Sequence, residues 1–194
     1  MSKQINSYTG YQQMLIGLTL ALLMAATRSH HFASLEYLPS ASLAAFFLMG
    51  IYVSPIWAFA LLLGEAAFLD YAAIVWSGVS DYCISPAYGF LVPAYASLWL
   101  MGRWYSQRHN RQLALPALVS ALLIGAVASE LFSSGSFYLF SGRFAEPSLT
   151  EFAHRFVTFF PAALFDLTVY VATATIIQLI FVRGDRQSAG NYAK

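Results

Sequence analysis

The chain of 194 residues is 59% hydrophobic and only 10% charged, where an average soluble domain is about 45–50% apolar and about 25% charged. So few charges do not coat a soluble globule of this size, and ten Lys+Arg against nine Asp+Glu leave no basic surface for nucleic acid. A single cysteine excludes an internal disulfide, a CxxC redox pair and a four-cysteine zinc site, and what remains is an all-α integral membrane protein.

A helix needs about 20 mainly apolar residues to cross a hydrocarbon core of roughly 30 Å. On that measure the first span covers Tyr11–Ala26 and is ended by Thr27, Arg28 and a histidine pair. The second begins after Pro39 and reaches Tyr52, and the third runs from Pro55, suited to a first helical turn, to Trp76. The fourth covers Pro86–Trp104 with an expected kink at Pro93, the fifth Leu113–Phe132 and the sixth Phe156–Val182. The second is short, and merging 39–63 into one helix gives a five-span alternative. One transmembrane domain, 1–194, accounts for the chain. The first apolar run follows one Lys and lacks a small-x-small cleavage pattern in a polar setting, so it reads as a retained helix rather than a signal peptide.

Six spans put Lys3, Arg103, Arg108, Arg111, Arg183, Arg186 and Lys194 on one side and only Arg28, Arg143 and Arg155 on the other. The positive-inside rule then places both termini in the cytoplasm. Three connections face outward: Arg28–Pro39, Ser77–Ser85 and Ser133–Arg155. They hold most of the reactive side chains outside the helices, including His30, His31, Asp81, Tyr82 and Cys83. The third, with Phe137, Tyr138, Phe140 and Phe144, is too apolar for a solvated loop and reads as a partial helix or lid folded over the outer mouth.

Cys83 lies in a polar outer turn just before the fourth span, where a helix N-terminus lowers a thiol's pKa and favours the thiolate, a soft ligand for transition metals. A buried, inert cysteine is the competing reading. His30 and His31 are solvated or interfacial residues, or one of them turns toward Cys83 as a hydrogen-bond partner or second ligand. His109 falls in the basic cytoplasmic loop and is expected to be idle, whereas His154 is outward and belongs with the lid. Ionisable groups inside a membrane face the bundle interior or a watery cavity and are functional candidates. Of Glu65, Asp70, Glu130 and Asp166, Asp70 lies roughly 10 Å below the outer end of the third span and suits a pocket there. Glu130 is expected near the outer end of the fifth. Glu65 and Asp166 sit deeper, within reach of Ser or Thr on neighbouring helices. Gly17, Ala21 and Ala25 form a small-xxx-small face, for internal packing or for docking a partner protein. No Walker A, HExxH or GxSG-like motif occurs, and no half-to-half repeat supports an inverted-repeat transporter.

The stretches Thr27-Arg28-Ser29-His30-His31-Phe32 and Asp81-Tyr82-Cys83-Ile84-Ser85-Pro86-Ala87-Tyr88, with Asp70 between them, resemble the BtuM family of small cobalamin (vitamin B12) transporters. The span pattern is similar to the S-components of energy-coupling-factor (ECF) vitamin transporters over the whole chain, whereas residue identity is confined to these short stretches. The resemblance implies a six-helix ECF S-component-like bundle in a bacterial inner membrane. It makes Cys83 the axial ligand of the corrin cobalt and His31 the nearer histidine. Asp70, Tyr82, Tyr88 and Arg28 then surround the substrate, and aromatic residues line a wide mouth. Gly17, Ala21 and Ala25 match the motif by which S-components dock an ECF energising module, although BtuM-like proteins work without a dedicated module in some hosts. A thiolate on Co(III) would displace a weaker axial group and remove cyanide from cyanocobalamin, giving Cys83 a catalytic part in decyanation. The rival readings are an S-component for another vitamin, and a membrane thiol enzyme with Cys83 as nucleophile and His31 as base.

Overall fold

In lipid an unpaired backbone N–H or C=O is costly, so a chain this apolar closes its backbone hydrogen bonds inside helices. The computed structural model describes residues 8–28, 39–78, 85–109, 114–144 and 147–191, and every regular element among them is helical. The elements are α1 (Gly10–Arg28), α2 (Ser42–Tyr52), α3 (Ile56–Ser77), a 3₁₀ turn (Pro86–Phe90) that runs into α4 (Leu91–His109), α5 (Leu115–Phe140) and α6 (Leu149–Asn191). α1, α3, α5 and the Leu149–Ile180 part of α6 are long and apolar enough to cross a membrane. The 11 residues of α2 reach only roughly 16 Å.

That short helix is the hub. Ser42 and Ala44–Gly50 are all buried, and α2 packs against α1, α3, α4 and α6. It crosses α4 at Gly50 and Gly102, where a Cβ on either glycine would overlap the carbonyl oxygen of Trp99 or Phe47 respectively. The two helices therefore touch backbone to backbone, as small residues allow in membrane proteins. Beside the crossing, Phe46 stacks on Tyr95 with centroids 4.2 Å apart, and Phe59 of α3 meets Phe46 and Trp99 at 5.6 Å each.

Val53–Pro55 separates α2 from α3, so the merged 39–63 helix does not form. Arg103 Nη1 donates to the carbonyls of Val53 and Ser54, and the Ser54 N–H donates to Gln13 Oε1 at 3.0 Å. The turn is thus pinned from α4 and α1. At the other end of the bundle, Asp166 Oδ2 accepts the Ser40 N–H at 3.1 Å, and the Tyr170 hydroxyl donates to Pro39 O at 2.6 Å. These bonds tie the entry to α2 into the middle of α6.

Three expectations need correction. The stretch 133–155 is partly helical, as one of the two readings had it, but forms no lid of its own: α5 continues to Phe140 and α6 starts at Leu149, leaving only a short connection. Ser134 bonds to Glu130 Oε1 and Ser136 Oγ to Ser133 O, so these serines close hydrogen bonds along the helix instead of breaking it. Glu130 consequently lies about 15 Å short of the end of α5 rather than near it. Pro93 sits in the first turn of α4, where a missing N–H costs no helical bond, and the irregularity is the 3₁₀ turn before it.

The sharp return from α5 to α6 has its own fastening. Ser148 and Glu151 have capping-box spacing, and the Glu151 N–H donates to Ser148 Oγ at 3.2 Å. The Tyr138 hydroxyl accepts the Ser148 N–H at 2.8 Å and lies 3.1 Å from Glu151 Oε2.

Candidate functional site

Residues expected to act together from three separate stretches meet at the end of the bundle where α1 and α3 stop. Helical hydrogen bonding carries α1 through Thr27, whose hydroxyl donates to Leu23 O at 2.9 Å and accepts the Ala41 N–H at 3.0 Å. This holds Arg28, the last residue of α1, over α2. Its guanidinium donates from Nε to Asp70 Oδ1 and from Nη2 to Asp70 Oδ2, both at 2.7 Å. Nη1 donates to Ser42 Oγ at 3.0 Å and to the Tyr95 hydroxyl at 2.8 Å. Tyr88, in the 3₁₀ turn, donates its hydroxyl to Asp70 Oδ2 at 2.8 Å.

One ion pair thus gathers α1, α2, α3, α4 and the 3₁₀ turn. A bidentate guanidinium–carboxylate pair is the strongest common form of such contact, and the side chains here are only 13% and 26% exposed. Arg28 has five N–H donors, and these bonds engage four of them. It is therefore committed to holding Asp70 rather than free to seize an anionic group. Asp70 is fixed in turn, and Tyr88 has its hydroxyl aimed by the carboxylate.

Arg28, Tyr88 and Tyr95 also border a cleft of about 360 Å³ between α3 and the start of α4, whose walls are small or aliphatic, Ala60, Gly64 and Val92 among them. This volume is near the lower end of the range of roughly 300–1,000 Å³ for small-molecule pockets. A second cavity, of about 370 Å³, lies between the 3₁₀ turn and the α5–α6 return, walled by Phe90, Phe132, Gly135, Leu139 and Phe152. Phe140, expected in a mouth, stacks on Phe90 at 5.4 Å, and Tyr138 packs on Phe144 at 4.7 Å.

The structure therefore brings together Arg28, Asp70 and Tyr88, while Cys83, Tyr82 and His31, with His30 and Asp81, lie outside the described residues. Ser42 and Tyr95 belong to the cluster and went unnoticed in the sequence. Tyr95 follows Tyr88 by seven residues, a spacing that in an uninterrupted α-helix puts both on one face and offers a signal for it. Ser42 carries no comparable mark. Gly17, Ala21 and Ala25 are half-buried on α1; Gly17 faces Met49 of α2 and Val53 just after it, and Ala21 packs on the buried core. His154 is exposed on α6, and His109 stacks on Tyr105 at 5.1 Å. Among the described residues no three His, Cys, Asp or Glu side chains gather to hold a metal ion. No family model and no curated protein matches the chain, which leaves its own side chains as the guide to what it does.

Proposed function

We propose that the chain binds cobalamin at the Arg28 end of a six-span, ECF S-component-like bundle and mediates its uptake across a bacterial inner membrane, both termini being cytoplasmic. The observation that carries this reading is the convergence of Arg28, Asp70 and Tyr88, drawn from three stretches that resemble the cobalamin transporters, into one hydrogen-bonded cluster. Tyr88, whose hydroxyl bonds to Asp70, stands close after Cys83 in the sequence. In this reading the Cys83 thiolate is the axial cobalt ligand and His31 stands beside it. Arg28 acts through Asp70 rather than on the substrate.

Cobalamin is a broad amphipathic cargo; the aromatic side chains around Phe90 and Phe152 offer it apolar surface, and the Arg28–Asp70–Tyr88 cluster offers polar groups. With cyanocobalamin, the Cys83 sulfur forms a bond to Co(III) and the Co–CN bond breaks. Cyanide leaves with its electron pair, and the cobalt keeps its oxidation state. The thiol proton goes to water when the thiolate forms.

The deciding experiment is the absorption spectrum of detergent-purified protein with cobalamin, wild type beside Cys83→Ala. The expected result is a shift of the cobalt bands that is lost in the variant. Identical spectra overturn the assignment. Protein that ignores cobalamin but binds a flavin or thiamine points to an S-component for another vitamin. Turnover of a non-corrinoid substrate abolished by thiol alkylation points to a membrane thiol enzyme.

A further inference from the structure

We infer that the Arg28–Asp70 ion pair, locked by Tyr88, is a latch that holds α3 against the rest of the bundle, and that its release opens the cleft between α3 and α4. The inference deepens the proposed binding function, because the latch contains residues assigned to that pocket, but its mechanical part needs no ligand.

Among the described residues, Asp70 is the sole α3 side chain that hydrogen-bonds to another element. Phe59, near the opposite end of α3, is a second lateral anchor in the aromatic group with Phe46 and Trp99, and Ala58, Leu62 and Ala66 pack α3 into the buried core. Between these two anchors α3 presents Ala60, Gly64 and Ala67 to the cleft, and a Cβ at Gly64 would meet nothing within 4 Å. The other helices are fastened differently. α4 is wedged against α2 at Gly50 and Gly102, and Gly125 of α5 sits close on Leu98 and Met101. α6 is tied through Asp166, Tyr170 and a 2.8 Å bond between Tyr52 and Gln178.

The chain also has the pivot such a motion requires. Val53–Pro55 is held by Arg103 and Gln13, and hinge motions turn on a few residues at element ends. Asp70 is about 21 Å along α3 from Ile56, so a tilt of about 10° at the pivot moves it by about 4 Å. That displacement separates the carboxylate from Arg28 and Tyr88 together. A ligand that draws the Tyr88 hydroxyl or the Asp70 carboxylate toward itself releases α3.

The test is a distance measurement by pulsed electron resonance in lipid nanodiscs, without ligand, between spin labels at Ala67 and Val92 in a Cys83→Ser background. The expected result is one short distance for this background and a distribution displaced by several ångströms to longer values in Asp70→Asn. Labels at Leu100 and Leu123, on α4 and α5, keep their distance. Superimposable Ala67–Val92 distributions overturn the latch. So does an equal widening of the Leu100–Leu123 pair, which would mean that Asp70 holds the whole bundle. If Asp70→Asn does not fold, Tyr88→Phe carries the same test with a smaller expected displacement. Failure of cobalamin to bind leaves these distances untouched, so the two readings fail separately.

Discussion

Asp70 presents both carboxylate oxygens to Arg28, at 2.7 Å each, across 42 positions of chain. Because both side chains are largely buried, removing one strands the charge of the other. Asp70→Ala is expected to cost about 3–5 kcal/mol, read as a large fall in the thermal unfolding temperature of detergent-purified protein. Arg28→Met combined with Asp70→Leu recovers most of the loss, but not all, because Tyr88 and Tyr95 keep unpaired hydroxyls. A double variant no more stable than Asp70→Ala would show that the pair matters for its shape and not its charge.

The glycines separate into those that carry a close approach and those that do not. Gly102→Ala drives a methyl into the carbonyl of Phe47, so α2 and α4 must part. The expected penalty is at or beyond the upper end of the usual 1–3 kcal/mol for overpacking, with loss of the monodisperse peak on size exclusion. Gly64→Ala meets open space and relieves a helical glycine, which is expected to leave stability unchanged or raise it by about 0.5–1 kcal/mol. Equal effects at the two sites would refute the crossing.

Tyr138→Phe removes the acceptor for the Ser148 N–H at the head of α6. A cost of about 1–3 kcal/mol is expected, with hydrogen exchange accelerated at Ser148–Glu151 and unchanged in α2. Protection that stays as in the wild type would remove Tyr138 from the fastening.

Arg103 joins α4 to the end of α2 through the carbonyls of Val53 and Ser54, and its guanidinium lies 5.4 Å from the Trp99 ring centre. A lysine keeps the charge but lacks the planar fork and its stacking. Arg103→Lys is expected to lose about 1–2 kcal/mol in thermal unfolding, most of what Arg103→Met loses. Full stability in the lysine variant would reduce the contact to simple charge.

Hydropathy located the long helices because burial in lipid is written in side-chain type: the expected Tyr11–Ala26 and Pro55–Trp76 fall on α1 and α3 almost residue for residue. It failed at Ser133–Ser136, where serine and glycine signal a loop in water. In a membrane helix a serine hydroxyl bonds to its own helix and loses its breaking power. Asp70 was legible as a buried acid, and Arg28 and Tyr88 through the resemblance. That Arg28 faces Asp70 rather than a substrate was not, since pairing across 42 positions depends on how α1 and α3 pack. Ser42 shares that obscurity: only the crossing of α2 under the end of α1 gives an ordinary helix-start serine a partner.

The meeting of Gly50 and Gly102 has a mechanical corollary. Two backbones with no side chain between them have no cushion to deform, and neighbouring turns block any slide shorter than a full helical pitch of about 5.4 Å. α2 and α4 thus form a stiff pair at the centre of the bundle, with the other helices packed around it.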